Sequence, residues 1–499
     1  MPSIIRPELL TMTRPELMAL VPYLLLCGGV LVAMLLSVIR FFNPKWIMFV
    51  FSVGTLVATV VLSFGQFGNE SVVLFNGMMV VDRYAVFFNM FYCAAGTVTL
   101  LSAFRYLDRE KLQYPEFYLL VLFAVLGMML LSSSLDLIVF FIALELMSLP
   151  VYVMVGYRRT DRRSNEAAMK YFILGSAASA ILLYGAALLY GVTQSLSIRE
   201  ILAFVQAGKS AGNVVFMLGL CFVLVGLLFK VASAPFHMWM PDVYEGAPTP
   251  VTGFMTTGLK AAAFAALVRV FVSLGYGKGL TPTFQVGLHD ILWVSAVLTM
   301  IVGNVVALVQ VNLKRMLAYS SIAHTGYLLV GILSAPGSEQ GYAPIVVYLV
   351  GYGIMNLGAF VILSAISGRD DEGLNLHDLS GLARHKPWLA FAMAVFMFSM
   401  AGIPPTAGFA AKYFLLYSAV QSGEIWLTVI SVLCSAVSVY YYLRVLVYMY
   451  MREPLGSESR TAGSVWASFA AAMMAVMTIQ VGMFPARVVE VAKRAVSGL

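Results

Sequence analysis

The chain has 499 residues, of which 61% are hydrophobic and only 11% are charged. Soluble domains usually carry about 25% charged residues, so this chain has too few charges to hydrate the surface of a globular domain. Its mean hydropathy of +0.89 agrees with that reading. The composition excludes a soluble globular protein, and we expect an all-α, polytopic membrane protein.

Fourteen apolar runs are long enough to cross a bilayer as helices, which takes about 20 mostly apolar residues each. Scattered Gly and Ala residues favour packed helices over the alternating segments of a β-barrel. The first run begins after Arg14 and can span the membrane, so no cleavable signal peptide is predicted. The runs lie near residues 17–39, 46–66, 78–103, 117–132, 134–157, 167–192, 214–236, 251–274, 289–311, 316–334, 344–367, 388–418, 425–450 and 463–483.

The distribution of basic residues predicts the orientation of the chain. The odd-numbered connections between runs carry sixteen Lys and Arg residues, whereas the even-numbered ones carry four. Basic connections stay in the cytoplasm, so both termini are predicted to lie outside it. The net charge of +7 then reflects membrane topology, and no Arg-rich, aromatic-interleaved domain suggests nucleic-acid binding. The sixteen residues are Arg40, Lys45, Arg105, Arg109, Lys111, Arg158, Arg159, Arg162, Arg163, Lys314, Arg315, Arg369, Arg384, Lys386, Arg452 and Arg460.

The cysteines and histidines do not form the pattern of a metal or cofactor site. Each cysteine stands alone in an apolar run without C-x-x-C spacing, which argues against an iron–sulfur cluster or zinc. The histidines form no closely spaced pair of the haem-ligating kind, and no G-x-G-x-x-G follows a strand. We therefore expect no cofactor or metal in this chain. The residues concerned are Cys27, Cys93, Cys221, Cys434, His237, His289, His324, His377 and His385.

Four ionisable residues lie deep inside predicted spans: Glu145, Lys230, Lys260 and Lys412. A charge at mid-membrane costs roughly 2.5–3.5 kcal/mol on insertion scales and marks a functional site by default. Burial disfavours the ammonium form of lysine and a nearby carboxylate favours it. A Glu–Lys pair can therefore hold or release a proton according to its separation, as proton transfer through an apolar layer requires.

The alternative for these residues is a set of static salt bridges between helices that only fix the bundle. That alternative is stronger for Lys170, Arg269 and Arg444. These three lie nearer the predicted helix ends, from which long side chains can extend to the membrane surface.

Two of the spans that carry lysines are predicted to be broken by proline. Pro235 follows Lys230 by five residues, and Pro404–Pro405 precede Lys412; proline interrupts the helical hydrogen-bond ladder. The breaks fall in spans seven and twelve, and an odd offset of five spans inverts the second unit relative to the first, as in many ion transporters. The predicted units are 1–116 with spans one to three, 117–274 and 289–450 as inverted repeats, and 463–499 as helix fourteen.

Three stretches resemble the proton-translocating, antiporter-like subunits of respiratory complex I, and the resemblance covers essentially the whole chain. They are FKVASAPFHMWMPDVYEGAPTPVTGF (229–254), NLKRMLAYSSIAHTGYLLVG (312–331) and GIPPTAGFAAKYFL (402–415). Within the family the N-type branch is most similar. The L-type branch has a long lateral helix after span fourteen, and the M-type branch has glutamate in place of Lys412. The tract EAAMKYFILGSAASA, with Lys170, also looks like the N type.

The resemblance implies a role for each buried ionisable residue. Glu145 would pair with Lys230 and modulate its proton affinity. Lys230 would be the input-side proton carrier, Lys260 the central relay and Lys412 the output-side carrier. His324 would join Lys260 to Lys412, with water in the gaps.

Three residues, His324, His237 and Lys170, have a purely structural alternative to a role in proton transfer. His324 could instead be bonded to a backbone carbonyl. His237 could line the cytoplasmic approach or be purely structural. Lys170 could connect to the cytoplasmic input, or form an ordinary i,i+4 helix pair with Glu166.

The resemblance further implies a subunit of a proton-translocating NADH–quinone oxidoreductase in the bacterial inner membrane. NADH, FMN, iron–sulfur clusters and quinone would bind to partner subunits, and the partners would be the antiporter-like M and L types and the small K, J, A and H types. The chain itself would meet lipid, protons and water. The alternatives are a subunit of a multisubunit cation/proton antiporter, a related ferredoxin- or hydrogenase-linked complex, and a membrane scaffold in which the lysines are merely bridged.

Overall fold

The computed structural model describes residues 12–38, 44–210, 212–274, 276, 282–454, 465–497 and 499. Within these ranges the chain forms twenty α-helices and one two-stranded sheet. The helices are α1 (Arg14–Val38), α2 (Pro44–Gln66), α3 (Arg83–Arg109), α4 (Pro115–Ser133), α5 (Leu137–Val155), α6 (Arg162–Thr193), α7 (Ile198–Gln206), α8 (Val214–Lys230), α9 (Trp239–Gly246), α10 (Thr249–Phe254), α11 (Lys260–Ser273), α12 (Pro282–Val309), α13 (Leu313–Ser334), α14 (Ala343–Ile366), α15 (Leu382–His385), α16 (Pro387–Ala401), α17 (Ala407–Gln421), α18 (Ile425–Met451), α19 (Val465–Met483) and α20 (Pro485–Val496).

The membrane-spanning part follows the predicted runs. Twelve helices in the described ranges are long and apolar enough to cross a membrane, one of them being α10 and α11 joined without a break. Of the other two predicted runs, the seventh holds the shorter helix α8 and the non-helical segment that leads to α9, and the twelfth holds α16 and α17. The all-α, polytopic fold is therefore confirmed, and both lysine-bearing runs that were predicted to be broken by proline are interrupted.

Three connecting elements differ from the sequence prediction. The run predicted at 78–103 begins later, because residues 72–81 form a hairpin of β1 (Val72–Leu74) and β2 (Met79–Val81). Asp82 then caps α3, its carboxylate accepting the Ala85 N–H at 2.8 Å, as acidic residues at helix N-termini do. The amphipathic helices α7 and α20 were not predicted, so the unit 463–499 holds two helices rather than one.

The break between α8 and α9 is stabilised by side chains from two neighbouring helices. The Ala234 N–H donates to the Thr299 hydroxyl of α12 at 2.8 Å. The Thr325 hydroxyl of α13 donates to the Val231 carbonyl at 2.7 Å. Non-helical backbone inside a membrane is tolerated only where protein or water satisfies its polar groups, and here protein hydroxyls satisfy two of them.

The break between α16 and α17 depends on two glycines. Gly402 ends α16 with φ +83°, a left-handed conformation that favours glycine. Gly482 of α19 lies directly against the broken segment: a Cβ at that position would come within 2.4 Å of the Pro405 carbonyl oxygen. The second break therefore requires close backbone approach as well as proline.

Between α10 and α11 the helix widens into a π-helical turn at Met255–Leu259, every residue of which is buried. The next residue is Lys260. Single π turns inside α-helices occur frequently at functional sites, so the local geometry distinguishes Lys260 from the other buried lysines.

Arg269 and Arg444 both bond to neighbouring helices. Arg269 is 3% exposed and forms a bidentate ion pair with Asp82, at 2.9 and 2.8 Å. Arg444 donates to the Leu308 and Gln310 carbonyls, at 2.9 and 2.5 Å. These carbonyls lie at the C-terminal end of α12, where unpaired carbonyls and the helix dipole favour a cation.

We expect Arg269→Ala to destabilise the protein, because it leaves the Asp82 carboxylate buried and unpaired. Loss of one partner of a buried ion pair typically costs about 3–5 kcal/mol. The measurement is the thermal unfolding midpoint of the detergent-purified protein. The matched control is the double variant Asp82→Asn/Arg269→Met, which removes both charges and keeps an oxygen to cap α3. A double variant no more stable than Arg269→Ala would contradict this explanation.

Candidate functional site

Glu145 lies on α5 and Lys230 at the end of α8. The two side chains do not form the direct ion pair that was expected. The Lys230 ammonium donates to the Ser148 hydroxyl at 3.0 Å and the Tyr152 hydroxyl at 3.2 Å. Glu145 instead accepts a 2.5 Å hydrogen bond from Ser179 of α6. Ser148 lies three residues from Glu145, so about one helical turn of α5 separates the two charged groups. Hydroxyl groups, rather than an ion pair, hold the first lysine.

Lys170 takes part in a larger charged group than the predicted i,i+4 pair. Its ammonium lies 2.8 Å from Glu166 and 2.8 Å from Asp242 of α9. Arg315 of α13 pairs with the same Asp242 at 2.8 Å and with Glu245 at 3.0 Å. An open cleft of about 250 Å³ is lined by Lys170 and both α9 acids. This group, the α6–α9 cleft, connects three helices.

His237 lies in the segment between α8 and α9 and is partly exposed. Its Nδ1 atom is buried and has no hydrogen-bond partner among the described residues. The structure therefore places His237 beside the break, seven residues beyond Lys230.

Lys260 is 3% exposed and is held by polar groups of α13. Its ammonium donates to the Ser321 carbonyl and, at 2.8 Å, to the Ser321 hydroxyl. Tyr352 of α14 donates to the same hydroxyl at 2.8 Å, and its ring lies 4.9 Å from the ammonium, within the range of a cation–π contact. No carboxylate forms an ion pair with Lys260 among the described residues.

His324 is bridged by two tyrosine hydroxyls rather than by a backbone carbonyl. Its Nδ1 lies 2.6 Å from the Tyr348 hydroxyl, and its Nε2 lies 3.2 Å from the Tyr442 hydroxyl. The Tyr442 hydroxyl also bonds to Ser320. Because an imidazole nitrogen accepts or donates according to its tautomer, this arrangement can pass a proton from one side of the ring to the other.

Lys412 is 7% exposed and lies against the end of α16. Its ammonium donates to the Met400 carbonyl at 3.0 Å and to the Ser435 hydroxyl of α18 at 2.9 Å. The C-terminal carbonyls of a helix favour a cation. The Tyr327 ring lies 5.5 Å from the ammonium and 5.9 Å from the His324 ring, so Tyr327 stands between the histidine and the third lysine.

One helix, α13, contacts the surroundings of all three lysines. Thr325 bonds to the backbone beside Lys230, Ser321 binds Lys260, and Tyr327 faces Lys412. These hydroxyl residues were not predicted individually. The signal was present in the tract AYSSIAHTGY, which is unusually polar for a membrane span.

A second charged group is centred on Asp371, which lies in the connection after α14. Its partners come from α3, α10, α13 and the segment after α5. The Asp371 carboxylate pairs with Arg158 at 2.6 Å and Lys314 at 3.1 Å. It also accepts bonds from Thr249 at 2.8 Å and Tyr106 at 3.0 Å. Burial alone would raise the pKa of Asp371, but Lys314 and Arg158 outweigh it and hold the pKa below its ordinary value. This Asp371 cluster was not predicted.

Comparison with known proteins identifies the family. Residues 134–438 match the family described as NADH:quinone oxidoreductase/Mrp antiporter, TM. The chain belongs to this family. A relative from Trichlorobacter lovleyi, NADH-quinone oxidoreductase subunit N, is 45% identical over 424 residues, 85% of each chain. The predicted resemblance to the antiporter-like family, and to its N-type branch, is confirmed.

Solved structures support the same relationship. A chain of respiratory complex I from Thermus thermophilus matches with a TM-score of 0.79 and 35% identity, covering 94% of this chain and 98% of that one. A chain of the Mrp complex from Dietzia sp. DQ12-45-1b matches with a TM-score of 0.84 and 21% identity, covering 97% of both chains. The second likeness shows that the NADH:quinone oxidoreductase/Mrp antiporter fold is shared.

We expect Asp371→Asn to lower stability at neutral pH, because Arg158 and Lys314 lose their buried counter-charge. A carboxylate whose pKa is lowered by folding stabilises the fold fully above its unfolded pKa of about 3.9. That contribution disappears as the pH falls through the lower pKa of the folded state. The thermal unfolding midpoints of the wild type and Asp371→Asn should therefore differ most at pH 7, and the difference should shrink as the pH is lowered below about 3.9. Asp370→Asn, on the exposed neighbour, is the control; equal losses in the two variants would refute the assignment.

Proposed function

We propose that this chain is a proton-translocating membrane-arm subunit of NADH–quinone oxidoreductase. The observation that carries the proposal is that α13 links Lys230, Lys260, Lys412 and His324. Among the described residues, all four are held by neutral dipoles instead of carboxylates. A lysine fixed by a carboxylate would keep its proton. Lysines held only by hydroxyls and carbonyls can exchange protons when their surroundings change.

The proposed path begins at the α6–α9 cleft. Lys170 and Asp242 would collect protons there and His237 would line the approach to Lys230, whose proton affinity Glu145 would modulate. Lys230 would pass the proton towards Lys260 through water near the Thr325–Val231 contact. His324 would then carry it through its two tyrosines towards Lys412, from which it would leave on the outer side.

The two broken spans support an inverted-repeat organisation, with units 117–274 and 289–450. In each unit an apolar half-helix ends in the membrane, α8 at Lys230 and α16 at Ala401. In each unit a lysine ammonium lies at that end, Lys230 on the half-helix itself and Lys412 from the next one. The proposed repeats thus share a break and a cation, but not the position of the lysine in the sequence.

The relatives also decide between the two transport functions. The likeness to the Mrp complex is 21% identical and shows the fold alone, whereas the likeness to complex I is 35% identical over nearly both full chains. We therefore favour complex I over a cation/proton antiporter. The proposed partners are the M, L, K, J, A and H types of subunit, and NADH, FMN, iron–sulfur clusters and quinone would reside in those or other partner subunits.

Lys260→Arg and Lys412→Arg should each lower proton pumping and quinone reduction together, since coupled steps stall together. Arginine keeps the charge but does not release its proton in proteins, so a structural role would be preserved and a relay role lost. We expect rates lowered by about 100-fold or more for a lost proton carrier. Fluorescence quenching and NADH oxidation in vesicles of the assembled complex give both rates. Lys493→Arg, on the exposed face of α20, is the control, and normal pumping by both buried variants would exclude the relay.

The proposed location is the bacterial inner membrane, with both termini outside the cytoplasm. In a cysteine-free background, Ser497→Cys beyond α20 should react with a membrane-impermeant maleimide in intact spheroplasts. Thr160→Cys, in the connection after α5, should react only after permeabilisation. Labelling in the opposite order would reverse the orientation.

A further inference from the structure

Asn356 of α14 is a buried polar residue that the path above does not use. Its side chain is 0% exposed, and neither its Nδ2 nor its Oδ1 has a hydrogen-bond partner in the described part of the chain. An amide buried without a partner costs roughly 1–3 kcal/mol by mutational data, and buried polar groups are normally satisfied by protein or by ordered water. Asn356 is therefore placed to bind water.

The position of Asn356 on α14 is set by its neighbours on the same face. Tyr348 bonds to His324 and Tyr352 bonds to Ser321, and Asn356 follows at the next i+4 position. Gly353, which is adjacent on the helix surface, packs against Thr257 of the π turn. Asn356 thus lies about 6 Å further along α14 than Tyr352. It is at the height in the membrane at which α13 and the π turn lie beside α14.

The π turn supplies further polar groups at this level. Thr256 and Thr257 are both buried within it. The Thr257 hydroxyl lies 3.4 Å from the Gly353 carbonyl of α14, and the Thr256 hydroxyl donates to Gly253 at 2.8 Å. Because Lys260 directly follows the turn, a water at Asn356 would have hydroxyl neighbours on the side that leads to Lys260.

The other end of this interface is the Asp371 cluster. Asp371 binds Thr249, the first residue of α10, and Lys314 in the first turn of α13. Further along the same helices, α11 carries Lys260 and α13 carries its partner Ser321. The Asp371 cluster and Lys260 therefore lie at the two ends of the interface between α10–α11, α13 and α14. Asn356 lies between them on α14.

We propose that Lys260 has its own proton path from the cytoplasmic surface, running from the Asp371 cluster through water held by Asn356 and Thr256 to the neutral Lys260 amine. The proton passes along water, and each water gives up one proton as it receives another. This path does not use Lys230. It rests on the proposed function, because it supplies the same central relay.

The test uses the assembled complex in vesicles, with pumping measured per NADH oxidised. Lys230→Ala, which removes the first carrier, should retain measurable pumping. Adding Asn356→Leu to Lys230→Ala should lower that residual rate about tenfold or more, as expected when a proton carrier is lost. Replacement of an unpartnered buried amide by a similar apolar side chain is close to neutral for stability, so assembly should be unchanged. Asn356→Ser, which supplies a hydroxyl in place of the amide and can still bind water, should restore most of the residual rate.

The second path would be overturned by no pumping in Lys230→Ala alone, or by the same residual rate in Lys230→Ala with and without Asn356→Leu. Equal loss in the leucine and serine double variants would also overturn it, since it would indicate a packing effect. Lys260→Arg separates this proposal from the proposed function. If Lys260→Arg stops pumping while Asn356→Leu has no effect in the Lys230→Ala background, only the second path fails.

Discussion

A charge inside a membrane protein must be solvated by the protein, because lipid offers no hydrogen bonds and water is scarce. In this chain the partly buried Lys230 and the buried Lys260 and Lys412 are solvated by hydroxyl groups and backbone carbonyls. Such neutral dipoles lower the cost of a charge without fixing it as a carboxylate would. The remainder of the structure, including the helix breaks and the tyrosine-rich face of α14, places these dipoles around the lysines.

Carboxylates are used differently in the same molecule. Asp82 binds Arg269 bidentately beside the hairpin, and Asp371 binds Arg158 and Lys314 at the opposite ends of the helices. Removing one partner of such a pair is far more damaging than exchanging both, so these pairs fix where helices end. The carboxylate pairs thus lie at the ends of the helices, whereas the lysines inside the spans are held by neutral dipoles.

The helix α13 connects the two kinds of site. Lys314, in its first turn, belongs to the Asp371 cluster, and Ser321 and His324 belong to the lysine series. Thr325 also satisfies a carbonyl in the broken seventh span. A shift of α13 would therefore change the surroundings of every buried lysine at once, which gives a mechanical reason for a polar helix at the centre of an otherwise apolar bundle.

The sequence by itself determined the all-α membrane fold, the two broken spans and the positions of Glu145, Lys230, Lys260 and Lys412, because hydropathy and proline are local properties. Ser148 and Tyr152 could also have been found, since they share a helical face with Glu145. Only the tertiary structure decided that Ser321 binds Lys260 across 61 residues and that Tyr442 binds His324 across 118. It also decided that Glu145 binds Ser179 rather than Lys230. Partners distant in the sequence are set by how helices pack, and no single helix encodes that arrangement.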